Sequence, residues 1–207
     1  MKPIRLLFLM AALCLAAPAI HANKVPDLDI SVRLRADGAA QVREVWDVDV
    51  DEGTEWYLVR KNLGDIEISG LRVRNEEGVQ FVNEGEWDTD RSLRQKAGRC
   101  GIVHTGDGVE LCWGLGSYGQ HTFIVEYLMS NAVKTLNDYD MLHLQLVSPG
   151  LSSPPRHVRV AIRPDEGLGV QLDTANTRIW GFGFEGEAGF EDGAAVFEST
   201  ESFQYMS

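Results

Sequence analysis

The chain has 207 residues, with 19 basic and 31 acidic side chains, a formal net charge of −12 at pH 7 and 44% hydrophobic residues. An acidic surface of this kind repels nucleic acid and anionic lipid, so both are excluded as partners. The length is enough for a large β domain whose core needs neither a metal nor a cofactor.

Residues 1–22 have the pattern of an export signal. Two basic residues precede an apolar run over 6–17, and Ala22 offers a small residue at the cleavage point, with a cut within 17–19 as the alternative. Cleavage would leave a mature domain of residues 23–207, periplasmic or secreted. Beyond the signal, no stretch reaches the roughly 18 apolar residues that a membrane-spanning helix needs.

Hydrophobic and polar residues alternate through much of the remaining chain, which is the period of a half-buried β-strand. The clearest example is a hairpin in which 28–34 and 40–50 flank a turn at Asp37-Gly38. Further strands are predicted at 55–60, 66–74, 79–83, 123–129, 142–147, 157–163, 179–184 and 194–198. We find no helical period of convincing length. This pattern favours the all-β class, as an antiparallel sandwich in a single domain.

Glu44 lies in phase with the apolar residues of its strand, so the alternation turns a carboxylate toward the core. Burying an unpaired charge is costly, and the carboxylate therefore needs a partner. Arg60, in the next predicted strand, is the candidate partner for a structural ion pair. The alternative is a sheet edge at which Glu44 reaches water.

Cys100 and Cys112 are the two cysteines beyond the signal, and they flank a glycine-rich turn around Gly106. In an oxidising compartment such a pair predicts a disulfide. A loop with an odd number of residues centred on Gly106 would place them opposite each other, with Cα atoms about 4.5–5.5 Å apart. A four-residue loop would turn the thiols to opposite faces. Two separate buried thiols are the alternative to the predicted disulfide.

The sequence carries no motif for a nucleophile, a phosphate loop, a dinucleotide or a zinc site, so no catalytic residue, cofactor or metal is expected. The leading hypothesis is a non-enzymatic interaction module with a protein or glycan ligand. A carbohydrate-binding module is the first alternative, with Trp87 and Tyr118 as a possible exposed platform. A hydrolase is the second, and it requires two carboxylates roughly 5 to 9.5 Å apart in a cleft.

A resemblance to a known family is carried by Leu111–His121, Tyr127, residues 131–140, the Asp37-Gly38 turn, Val42, Glu44 and Glu55-Trp56-Tyr57. In order and spacing these residues resemble the N-terminal extracytoplasmic domain of the YciQ-like predicted membrane proteins, over roughly residues 27–205. The resemblance implies an immunoglobulin-like β-sandwich with no established activity. It also implies a further strand and membrane helices beyond the domain, so this chain is either a freestanding version or a truncated one with an open sheet edge.

Overall fold

The computed structural model describes residues 23–148, 151, 154–183 and 185–200, so the predicted signal at 1–22 lies outside the described residues. Almost all regular structure in these ranges is β. The elements are β1 (Lys24–Leu34), β2 (Ala40–Val50), β3 (Glu55–Lys61), β4 (Ile68–Arg74), β5 (Val82–Glu86), α1 (Leu93–Lys96), β6 (Arg99–Thr105), β7 (Gly108–Gly114), β8 (Gly119–Met129), β9 (Val133–Thr135), β10 (Asp140–Leu142), β11 (His157–Pro164), a 3-10 turn (Glu166–Leu168), β12 (Gly186–Glu191) and β13 (Ala194–Ser199).

These strands form two main sheets and a small hairpin. The large sheet has seven strands in the order β12-β13-β11-β1-β2-β8-β4, and the small sheet has four in the order β3-β7-β6-β5. Strands β9 and β10 form the hairpin. The prediction of an all-β fold is therefore confirmed.

The prediction of purely antiparallel sheets is wrong. Strand β1 pairs with β11 in parallel, and β5 pairs with β6 in parallel. Hydrophobic alternation fixes which face of a strand is buried, but it carries no information about the direction of the neighbouring strand. The sequence pattern could therefore predict strands without predicting that the sheets are mixed.

One hydrophobic core contains residues of both main sheets. The large sheet contributes Leu28, Ile30, Val42, Trp46, Phe123 and Val125, and the small sheet contributes Trp56, Leu58, Leu111 and Trp113. Aromatic contacts join the two layers: the ring centroids of Trp46 and Trp56 are 6.1 Å apart, and those of Trp113 and Phe123 are 5.7 Å apart. The sheets pack face to face, so each needs only one apolar face.

The predicted and observed elements differ most near the C-terminal end of the domain. Residues 143–147 and 179–183, predicted as strands, have no regular structure. Strand β12 was not predicted, because its Gly186 and Gly189 give no β-propensity signal. It is specified by pairing with β13 across a two-residue turn, in which Asp192 and Gly193 have φ values of 46° and 74°. Positive φ at both positions is typical of a type I′ hairpin turn.

No helix in the described part of the chain is long and apolar enough to cross a membrane.

Candidate functional site

The structure brings Glu44 and Arg60 together in the core, between the two sheets. Glu44 lies on β2 of the large sheet and Arg60 on β3 of the small one. Arg60 Nη2 lies 2.5 Å from Glu44 Oε1, and the side chains are 3% and 0% exposed, respectively. The pair therefore crosses the interface between the layers and is shielded from water.

Neighbouring groups fill the remaining hydrogen-bonding capacity of the pair. The carboxylate of Glu44 also accepts hydrogen bonds from Trp46 Nε1 at 2.9 Å and from Tyr127 Oη at 2.6 Å. Arg60 Nε donates to Tyr127 Oη at 3.0 Å, and Arg60 Nη1 donates to Ser148 Oγ at 2.8 Å. We call Glu44, Arg60, Tyr127, Trp46 and Ser148 the core polar network. A buried ion pair is tolerated when its other polar atoms are satisfied in this way.

Two members of the core polar network, Arg60 and Tyr127, have a raised pKa. Burial opposes a charge on Arg60, but the contacts with Tyr127 and Glu44 outweigh burial and raise the pKa of the guanidinium. Burial also raises the pKa of the Tyr127 phenol, which therefore stays neutral at physiological pH. The arrangement holds a permanent cation beside a neutral phenol. It suits structural stabilisation and not proton transfer.

A second buried cation, Lys96, is not predicted by the sequence pattern. Its side chain is 1% exposed, and Nζ donates to Thr54 Oγ1 at 2.8 Å and to the Thr89 carbonyl at 2.7 Å. The third contact is with Glu55 Oε2 at 3.1 Å. The same carboxylate oxygen accepts a hydrogen bond from Trp87 Nε1. These groups attach the short helix α1 to the small sheet.

The predicted aromatic platform is not formed. Trp87 is 7% exposed and is held by its hydrogen bond to Glu55, whereas Tyr118 is 54% exposed. A platform for a sugar needs exposed ring faces, and a buried indole cannot offer one. The prediction that Trp87 and Tyr118 form a ligand platform is wrong, because the indole of Trp87 is buried and donates its hydrogen bond to the half-buried Glu55.

The predicted disulfide is also wrong. The turn between β6 and β7 has two residues, 106–107, so the register pairs Cys100 with Trp113 and Gly101 with Cys112. Because adjacent positions of a strand point to opposite faces, the two thiols lie on different sides of the small sheet. Both cysteines are free and buried. The alternative of two separate buried thiols describes the structure.

Neither thiol has the character of a nucleophile. Burial raises the pKa of Cys100 to about 11 and that of Cys112 to about 12. The reactive species of a cysteine is the thiolate, which is scarce when the pKa lies so far above neutrality. The two side chains therefore act as small apolar groups in the packing.

A surface cluster ties three neighbouring strands of the large sheet together. His157 on β11 places Nδ1 2.7 Å from Asp27 Oδ2 on β1 and Nε2 3.1 Å from Glu198 Oε1 on β13. Arg159 contacts the other oxygen of Glu198 at 3.7 Å. Each ring nitrogen of His157 therefore has a carboxylate oxygen within hydrogen-bond distance. Within the described ranges, no group of three or more His, Cys, Asp or Glu side chains could hold a metal ion.

This cluster predicts a pH-dependent contribution to stability. The pKa of His157 is raised above its ordinary value of 6.5, and the hydrogen bond to Asp27 is the largest cause. A raised pKa means that the protonated imidazole stabilises the folded state fully below pH 6.5, and that this contribution is lost as pH rises through the folded-state pKa. We expect His157→Gln to lower the free energy of unfolding more at pH 5.5 than at pH 8.5. Urea unfolding of both proteins at the two pH values measures the difference, and an equal loss would contradict the expectation.

Comparison with known proteins agrees with the resemblance noted in the sequence. A family model described as the N-terminal domain of a predicted membrane protein (DUF2207) matches residues 24–195. No curated protein matches the chain.

Among solved structures, native leukotriene A4 hydrolase from Saccharomyces cerevisiae is similar with a TM-score of 0.52 and 11% identity, covering 88% of this chain and 27% of that one. The yeast LTA4 hydrolase in complex with bestatin has a TM-score of 0.51 at 11% identity, covering 86% and 26%. An M1 zinc metallopeptidase from Deinococcus radiodurans has a TM-score of 0.35 at 12% identity, covering 86% and 39%.

The hydrolase likeness concerns the fold alone, and the chain spans about a quarter of the length of those enzymes. The family match covers most of the sequence, from the start of β1 to the first residues of β13. The chain belongs to the family of predicted membrane protein (DUF2207) N-terminal domains.

Proposed function

We propose that the domain is a non-enzymatic recognition module of a membrane protein, displayed outside the cytoplasm on a β-sandwich scaffold. The export-signal pattern at 1–22 and the family description support the location. Face-to-face packing of two sheets supports an immunoglobulin-like architecture, although the parallel pairs depart from its simplest antiparallel form.

The observation that carries the proposal is a pair of aromatic side chains on the surface. Trp180 is 70% exposed and Phe182 is 84% exposed, in the irregular chain between the 3-10 turn and β12. Keeping two large apolar rings in water, two positions apart, is costly for a protein without a partner. Exposed clusters of this kind mark interaction sites, and Trp is the residue most enriched at binding hot spots.

The buried charges support a scaffold role and not a catalytic one. Glu44 is fully buried and its carboxylate is hydrogen-bonded to three protein groups, which leaves it no contact with a substrate. The peptidase activities named for the structural neighbours belong to proteins of which this chain spans only a fraction. Fold likeness by itself does not transfer an activity.

Site-specific photo-crosslinking tests the proposal in the cells that produce the protein. A photoreactive amino acid is placed at Phe182 or, as a control, at the exposed Tyr118 near the start of β8. We expect a discrete crosslinked adduct from position 182 that is absent from position 118. The same adduct from both positions, or no adduct from either, would count against recognition through this surface.

A further inference from the structure

Strand β12 forms one outer edge of the large sheet. Five of its six residues are exposed and only Phe190 is partly buried. It pairs with β13 without a register shift, and no strand in the described ranges pairs with its other side. Natural edge strands are usually protected by a proline, a bulge, a lysine or a covering segment. The sequence of β12, Gly-Glu-Ala-Gly-Phe-Glu, contains no proline and no lysine, and its charged side chains are Glu187 and Glu191.

The hydrogen-bonding pattern shows which backbone groups are free. The turn after Glu191 has two residues, and the Thr200 amide donates to the Glu185 carbonyl at 3.1 Å. Both observations show that the odd-numbered residues of β12 are the ones whose backbone groups bond to β13. The N–H and C=O groups of Gly186, Ala188 and Phe190 therefore point away from the sheet. They form a regular row of donors and acceptors that could accept another strand.

The side chains along this edge define what kind of strand would fit. One face carries Glu187 and Glu191 on either side of Gly189, so it is acidic, and Glu191 also accepts a hydrogen bond from Arg159 Nη2 at 2.7 Å. The other face carries Gly186 and Ala188 beside Phe190, so it leaves room for larger apolar side chains on an incoming strand. A complementary strand would alternate basic and bulky apolar residues, since opposite charges and apolar pairs stabilise cross-strand neighbours.

We propose that β12 binds an extended segment of a partner protein by strand addition, and that this segment alternates lysine or arginine with bulky apolar residues. The segment becomes the eighth strand of the large sheet, with backbone hydrogen bonds to Gly186, Ala188 and Phe190. The inference rests on the proposed recognition function and names its ligand class. The exposed rings of Trp180 and Phe182 lie in the chain leading into this strand and would contact residues beyond the paired segment.

Binding of a designed peptide tests the inference. The probe is a fluorescein-labelled heptapeptide of alternating lysine and valine, blocked at its C-terminus, and its anisotropy is followed with the purified domain. Ala188→Pro removes the central outward N–H but no bond to β13, so the variant keeps the hairpin. We expect binding at least tenfold weaker than wild type for Ala188→Pro, and unchanged binding for the control Gly106→Ala, which lies in the exposed turn between β6 and β7 of the small sheet.

Two further measurements separate strand addition from charge attraction and from folding. A lysine-valine peptide N-methylated at every residue has the same charge but no N–H on either edge, so equal binding of this peptide would overturn the proposal. If Ala188→Pro fails to fold, this peptide serves in place of the variant, and undiminished binding would again overturn the proposal. A wild-type dimer that Ala188→Pro dissociates would assign the edge to a second copy and also overturn it. The crosslinking at Phe182 tests recognition independently of these results.

Discussion

Replacing Arg60 with methionine is expected to destabilise the domain by about 3–5 kcal/mol, because it leaves the fully buried Glu44 without its counter-ion. Double replacement, Glu44→Gln with Arg60→Met, removes both charges and is expected to cost less than the sum of the single changes. Urea unfolding of the four proteins gives the coupling free energy directly. The core polar network crosses the two sheets, so its loss weakens the packing between the layers.

The control for this cycle is the adjacent residue of the same strand. Lys61 lies 3.3 Å from Asp107, with both side chains at least half exposed. Exposed pairs of this kind contribute about 1 kcal/mol or less, so Lys61→Met is expected to have a small effect. Two results would contradict a structural role for the buried pair. One is that the effects of Glu44→Gln and Arg60→Met on the free energy of unfolding are additive. The other is that Arg60→Met lowers this free energy as little as Lys61→Met does.

Replacing Gly114 with alanine is expected to destabilise the domain by about 3 kcal/mol, at the upper end of the range for overpacking. A Cβ atom at this position would lie 2.0 Å from the Lys96 carbonyl oxygen, which is backbone and cannot rotate away. Relief of the clash requires α1 to move, and Lys96 would then lose its contacts with Thr54 and Thr89. Thermal and urea unfolding measure the effect.

Gly106 provides the matched control for this change. A Cβ atom there would have no neighbour within 4 Å, and the residue does not have a positive φ. Gly106→Ala is therefore expected to change the free energy of unfolding by about 0.5 kcal/mol or less. If both alanine variants unfold at the same urea concentration as the wild type, α1 does not pack on Gly114 as described.

The burial of Glu44 could be predicted from the sequence, because its carboxylate lies in phase with apolar neighbours, and a buried carboxylate needs a partner. Arg60 in the next strand is a candidate for that partner, but the packing of the two sheets is what brings the pair together. The phenol of Tyr127 and the hydroxyl of Ser148 could not be predicted as further members. They come from positions far along the chain, and only the packing of the two sheets brings them to Arg60.

Lys96 was missed for a related reason. It lies in a helix of four residues, which is too short to show a helical period. A single lysine in a polar segment normally points to solvent, and its burial depends on Thr54, Glu55 and the carbonyl of Thr89. The local sequence contains no signal for these contacts.

The error over Cys100 and Cys112 shows how much depends on one residue in a turn. Their spacing fits a face-to-face pair only for a loop with an odd number of residues, and the observed loop has two residues, 106–107. The alternation of side chains then places the thiols on opposite faces. Strand periodicity was predicted correctly here, and register was not, because register is set by the turn.

Amide hydrogen exchange along β12, resolved residue by residue, tests most directly the claim that the outer edge of this strand is open for recognition. The amides of Glu187 and Gly189 bond to β13 and are expected to exchange slowly, whereas those of Ala188 and Phe190 point away and are expected to exchange fast. Uniform protection of all four amides in the isolated domain would contradict the account, because it would mean that the edge is already occupied.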